Sequence, residues 1–204
     1  MSMSFEIFPT KKKTPSCNDV IEYSVQLFSE FLKKENISQT INISTREVTS
    51  DNKVCTNPIS LVLDENCHTV FNVNEEGEVY VFYHELTDLD KDFWNEEVQG
   101  NKNAQLMKEK IDTNLEIGCS WSVKRTMGQP AIVSLYYGYL AIAIAILTDG
   151  IIYSDDGAWD YSKLPIEGEK FKTEYLNITK ISDVILKENI EKWLSELKGQ
   201  FSIK

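Results

Sequence analysis

The chain has 204 residues, 42% of them hydrophobic, with only 9 Gly and 5 Pro. That is long enough for one domain with a sizeable core, and too poor in Gly and Pro for a collagen-like or low-complexity protein. Its 21 Lys+Arg against 32 Asp+Glu leave a net charge of −11, which argues against binding nucleic acid or an anionic membrane, since both need a basic surface.

The first thirteen residues put Lys11-Lys12-Lys13 after the short apolar piece, the reverse of a signal peptide. No lipidation motif opens or closes the sequence, so a cytoplasmic protein is expected. Phe5 to Phe8 predicts a short strand stopped by Pro9. A helix capped by Ser16 or Asn18 follows, with Val20, Ile21, Ser24, Leu27, Phe28, Phe31 and Leu32 on one face and Lys33 and Lys34 in its last turn. Strands are expected over 40–48 and 59–63, with a loop over 49–58 between them. Residues 69–73 and 78–83 read as a hairpin around Asn74-Glu75-Glu76-Gly77, with Gly77 available for a left-handed position. Residues 88–115 are helix-prone, broken near Gly100, with Leu106, Met107, Ile111 and Leu115 as an apolar stripe. A strand over 117–126 leads to Gly128-Gln129-Pro130, where Pro suits the first turn of a helix.

That helix runs to about Thr148 and should stop with Gly150 at its left-handed end. It is apolar nearly all round, so it is predicted to be central and covered on most sides. The run Ala131–Leu147 is shorter than a usual membrane span and carries three Tyr, a Ser and a Gly. A short strand over 151–153, a turn at Asp155-Asp156-Gly157 and a last helix over 182–198 complete the order, with Val184, Ile185, Trp193, Leu194 and Leu197 facing inward. Strands come partly in hairpins rather than in βαβ alternation. The expectation is a single α+β domain over 1–204, a mostly antiparallel sheet with several packed helices including one central apolar helix.

Chemistry-bearing motifs are few. Cys17, Cys55, Cys67 and Cys119 form no CxxC pair, so neither a zinc ribbon nor a redox motif is indicated, and free thiols are expected. Cys67 and His68 are strand neighbours whose side chains point to opposite faces, which rules out a nucleophile pair. His84, beside Glu85, stands as a general base or simply as a histidine at a strand end. HExxH, H-x-E with P-C-x-x-C, and P-loop patterns are absent; no metal or cofactor is expected.

The distinctive stretch is 149–161, with Asp149, Asp155, Asp156 and Asp160 among Tyr153, Trp159 and Tyr161. It departs from the EF-hand ligand spacing. Three readings remain: a hydrolase centred on Asp155 and Asp156, a strand-to-turn corner with Trp159 and Tyr161 packing the loop down, or a recognition loop using Asp155, Asp156, Trp159 and Asp160 on a cationic partner. A second acidic tract holds Glu85, Asp88, Asp90, Asp92, Glu96 and Glu97. It reads as a solvated helix start whose acids suit the dipole, or, with the first tract, as a surface for a basic partner.

The string Gly128-Gln129-Pro130, Leu135 to Ala141 and Leu147 to Tyr161 resembles segments of bacterial immunity proteins encoded beside polymorphic or contact-dependent growth inhibition toxins. The resemblance covers residues 128–161, a sixth of the chain. It implies a cytoplasmic protein that binds one cognate toxin domain, typically a basic nuclease, and is not an enzyme. These families vary in fold, so it implies no fold. The alternatives are a small hydrolase using Asp155, Asp156 or His84, and a housekeeping α+β protein.

Overall fold

The structure, a computed structural model, describes residues 2–200. Eight strands, β1 (Ser2–Phe8), β2 (Ile43–Thr49), β3 (Val54–Thr56), β4 (Cys67–Val73), β5 (Gly77–Glu85), β6 (Cys119–Thr126), β7 (Ile151–Tyr153) and β8 (Ile166–Glu167), make one sheet in the order β3-β2-β4-β5-β6-β1-β7-β8. Every neighbouring pair is antiparallel. The helices are α1 (Cys17–Lys34), α2 (Asp88–Gly100), α3 (Lys102–Leu106), α4 (Lys108–Ile117), α5 (Ala131–Leu147), α6 (Gly168–Glu174) and α7 (Val184–Gln200). This is the α+β fold with an antiparallel sheet that the sequence predicts. Among the described residues no helix is long and apolar enough to cross a membrane.

The position of α5 explains its composition. It lies along one sheet face, against β1, β5, β6 and β7, while α1, α6 and α7 cover its other sides. All of 131–145 is therefore buried, 15 of its 17 residues. Two of its buried hydroxyls find partners: Tyr136 Oη shares a 2.7 Å hydrogen bond with Ser24 Oγ of α1, and Tyr137 Oη donates to the Ala158 carbonyl at 3.3 Å. Gly138 admits the ring of Tyr175, whose Cζ stands 2.0 Å from where a Cβ would be. The helix ends with Gly150 N–H donating to Ala145 O and Asp149 N–H donating to Ile146 O, the Schellman pattern. The left-handed residue there is Asp149 (φ 52°), not Gly150 as expected.

Strand alternation sends Phe5 and Ile7 of β1 toward α5 and Phe8 to the opposite face. On that face Phe8 meets Trp94 of α2 edge-on, at 4.9 Å between ring centres. Trp94 and Phe93 also pack on Tyr153, at 5.6 and 5.3 Å. Helix α2 is thus pinned over β1 and β7 by two rings, and its acidic side chains are left outward.

Several expectations fail for identifiable reasons. Residues 59–63 pair with no strand; Leu61 N–H and Ile59 O bond to the 15–17 backbone, forming a strap on the start of α1. Leu61 and Val62 are both buried although they lie outside the sheet. One edge of the sheet is β3, within the expected loop 49–58. The hairpin's left-handed positions fall on Asn74 and Glu75 (φ 53° and 60°), while Gly77 leaves room for Gln129, whose Oε1 would lie 2.1 Å from a Cβ. The 88–115 helix breaks twice, before Lys102 and before Lys108, and this turns Leu106 outward, 85% exposed. In α7, Val184 and Ile185 are exposed; Ile190, Leu194 and Leu197 face inward and Trp193 is half-buried. Helix α6 and strand β8 have no counterpart among the predicted elements.

Candidate protein-binding surface

The acidic loop after β7 is built from the inside. Asp156 accepts four hydrogen bonds: from Ser4 N at 2.6 Å, Ser4 Oγ at 3.0 Å, Ser154 Oγ at 3.1 Å and Ala158 N at 3.2 Å. It staples the loop to β1. Asp160, 4% exposed, accepts from Ser162 N (3.2 Å) and Oγ (2.7 Å), and from Ser182 N (2.8 Å) and Oγ. Burial alone would raise its pKa, but the bonds from Ser182 and Ser162 outweigh it and hold the carboxyl below the usual aspartate range. Trp159 is 2% exposed and packs against Phe171 and Tyr175, 5.4 and 5.1 Å away.

Of the four loop residues predicted to touch a partner, only Asp155 is both exposed and without a role in holding the loop. Trp159 and Asp160 lie inward, because the loop needs a hydrophobic anchor and an acceptor for the 160–162 and 182 amides. The ring at the surface is Tyr161, 52% exposed; of the two rings that the strand-to-turn reading packs down, only Trp159 is buried. The D-x-S spacing of Asp160 and Ser162 is the local signal that could have assigned Asp160 to a cap.

The second tract divides in the same way. Asp90 accepts from Thr87 N and Oγ1, both at 2.6 Å, and so closes the start of α2. Asp88 pairs with Lys91 at 2.8 Å. Asp88, Asp92 and Glu96 recur every fourth residue, forming one exposed stripe. Glu97 accepts from Asn101 Nδ2 at 2.9 Å and from Tyr161 Oη at 3.1 Å.

That last bond joins the two tracts. Tyr161 also meets Tyr153, Oη to Oη at 3.4 Å and edge-on at 6.1 Å between rings. The Tyr153 hydroxyl is pushed well above the usual tyrosine range, first by burial, then by the Tyr161 bond and by the charges of Glu97 and Asp155. Asp155 and Glu97 therefore border one spot, although 58 residues separate them. Asn101 Nδ2 and Asn103 Nδ2 clasp the 162–164 backbone, to Leu164 O at 2.9 Å and Ser162 O at 3.1 Å. These side-chain bonds fix the surface from within.

No family model, curated protein or solved structure matches the chain.

The hydrolase candidates are placed differently. Asp155 faces solvent and Asp156 is saturated with donors, so the two do not converge on one point. His84 Nε2 lies 3.1 Å from Ser122 Oγ, and Ser122 donates to Glu6. Serine is the middle member, whereas an activated serine needs histidine between it and the carboxylate. Ser122 is also 1% exposed. Burial lowers the His84 pKa, with Lys124 adding to the effect, and burial raises that of Glu6. The trio reads as a satisfied polar patch of the sheet. Among the described residues no group of three or more His, Cys, Asp or Glu could hold a metal ion.

Proposed function

We propose that the protein is a cytoplasmic immunity-type inhibitor that captures one basic toxin domain through the surface shared by α2 and the 155–161 loop. The observation that carries this is the Glu97–Tyr161–Tyr153 junction, where an exposed ring is held rigidly among carboxylates that come from two distant parts of the chain. Such a ring offers contact area at low entropic cost and a face for Lys or Arg, while the surrounding acids supply steering. A nuclease cannot shed its positive potential without losing its grip on phosphates, so an acidic inhibitor exploits a feature the toxin must keep.

The test pairs this chain with the C-terminal domain of a secreted toxin encoded beside its gene. Co-expression should rescue growth, and the purified proteins should form a stoichiometric complex. Replacing Asp92, Asp155 and Glu96 by Asn, Asn and Gln removes three exposed charges without touching Asp156, Asp160 or Asp90. The on-rate should fall about tenfold at low salt, and less near 0.5 M salt where screening acts within a few Å. Tyr161→Ala should instead raise the off-rate. A complex that forms at the same rate at all salt concentrations, with both variants folded and unaffected, overturns the reading.

A further inference from the structure

On the far side of the sheet, between α7 and the 157–159 segment, lies a cavity of about 220 Å³ lined by Met3, Tyr137, Trp159, Ile190 and Trp193, with Arg125 among them. Arg125 is 4% exposed. Its guanidinium is sandwiched between two rings, 4.8 Å from the centre of Tyr137 and 5.1 Å from that of Trp193. Stacking of this kind holds the plane of the group and leaves its N–H edge free. The edge is lightly used: one long bond to Thr126 O at 3.4 Å, one contact with the Met3 sulfur at 3.3 Å, an interaction with the Tyr137 hydroxyl, and no partner at Nε. Among the described residues no carboxylate pairs with it. A second buried donor on the same cavity, Trp159 Nε1, also lacks an acceptor.

An arginine stays charged at every relevant pH, and a buried charge without a counter-ion is strongly unfavourable. Two unmet donors on one cavity call for a group that accepts. The cavity carries one positive charge, and the remaining charged residue on its lining is Asp183, which caps α7 through Leu186 N at 2.9 Å. Asp183 makes no ion pair with Arg125, so one guanidinium is left to be matched, which suits a single negative charge, while the carboxylate on the same lining disfavours a phosphate dianion. The rest of the wall is aromatic and aliphatic. An apolar cavity of about 150 Å³ accommodates benzene, so this one has room for a ring plus a carboxylate.

We propose that this cavity binds a small aryl monocarboxylate, its carboxylate on Arg125 and Trp159 Nε1 and its apolar body against Ile190 and Trp193. The site does not depend on the toxin-binding reading.

Titrations of the full chain with phenylacetate and benzoate, followed by tryptophan fluorescence and by calorimetry, test this directly, because Trp159 and Trp193 both line the cavity. Saturable binding is expected, at least tenfold tighter for phenylacetate than for 2-phenylethanol, acetate or inorganic phosphate. Trp159→Phe keeps the ring and removes the N–H, and should weaken phenylacetate about five- to tenfold. Arg125→Met should abolish binding; should that variant fail to fold, Trp159→Phe and the cavity-filling Leu186→Trp carry the test. No saturable response from the folded wild-type chain at millimolar phenylacetate overturns the proposal. So does 2-phenylethanol or phosphate binding as tightly as phenylacetate.

Discussion

Replacing Gly138 by Ala sets helix propensity against packing, and the structure says which wins. In the middle of α5, Ala is favoured over Gly by about 1 kcal/mol. The new methyl, however, would stand 2.0 Å from Cζ, 2.3 Å from Oη and 2.5 Å from Cε1 of Tyr175. Tyr175 cannot swing aside cheaply: it is 5% exposed, with Tyr139, Trp159 and Phe171 at 5.1–5.2 Å and Phe5 at 6.1 Å between ring centres. Overpacking costs about 1–3 kcal/mol, and displacing the Tyr175 hydroxyl from Leu135 O, 3.1 Å away, leaves a buried polar group worth about 1–3 kcal/mol more. The net expectation is a loss of about 3 kcal/mol, which for a chain of this size lowers Tm by roughly 6–12 °C. Urea unfolding monitored by circular dichroism measures it, with m unchanged. Tyr175→Leu removes all three clashing atoms, so in that background Gly138→Ala should turn stabilising, and the double-mutant cycle should show strong coupling. A neutral or stabilising Gly138→Ala in the wild-type background would refute the packing of Tyr175 over α5.

Asp160→Asn should destabilise by about 1–3 kcal/mol, because the amide nitrogen would face fixed N–H donors that only an oxygen can accept; thermal unfolding reads it. Since the folded carboxyl lies below its ordinary value of 3.8, its contribution is present above that pH and disappears as pH falls through the lowered folded value. The Asn variant should therefore show a shallower acid-side loss of stability than the wild type. Thiol titration should label Cys55 alone in the native protein and all four cysteines in denaturant, since Cys17, Cys67 and Cys119 are buried and burial pushes the Cys17 thiol up to about 11; fewer than four in denaturant would mean a disulfide.

What the sequence determines here is whatever depends on short-range pattern. Helix α5 is legible because apolar residues on every side leave a helix nowhere to sit but inside, and α1 because Ser16, one apolar face and the terminal lysines agree with one another. The β4–β5 hairpin and the antiparallel α+β class follow from alternation and short connections. Residues 59–63 show the limit: five apolar-rich residues look like a strand, but a strand needs a partner edge, and only the tertiary structure shows that the α1 start, not the sheet, is beside them. The same holds for the acidic loop. Composition cannot say which of Asp155, Asp156 and Asp160 meets water, since each is an aspartate near Ser and Gly; Ser4 and Ser182, 152 and 22 residues away from the carboxylates they bond, decide it. Trp159 packs inward, as the strand-to-turn reading has it, while Tyr161 stays at the surface, for a similar reason: Phe171 and Tyr175 arrive from an unpredicted helix and its cap to cover the indole. Arg125 reads in sequence as the last basic residue of a strand. Its burial between Tyr137 of α5 and Trp193 of α7 exists only once three elements have packed together, because a guanidinium's surroundings are set by long-range contacts that no local spacing encodes.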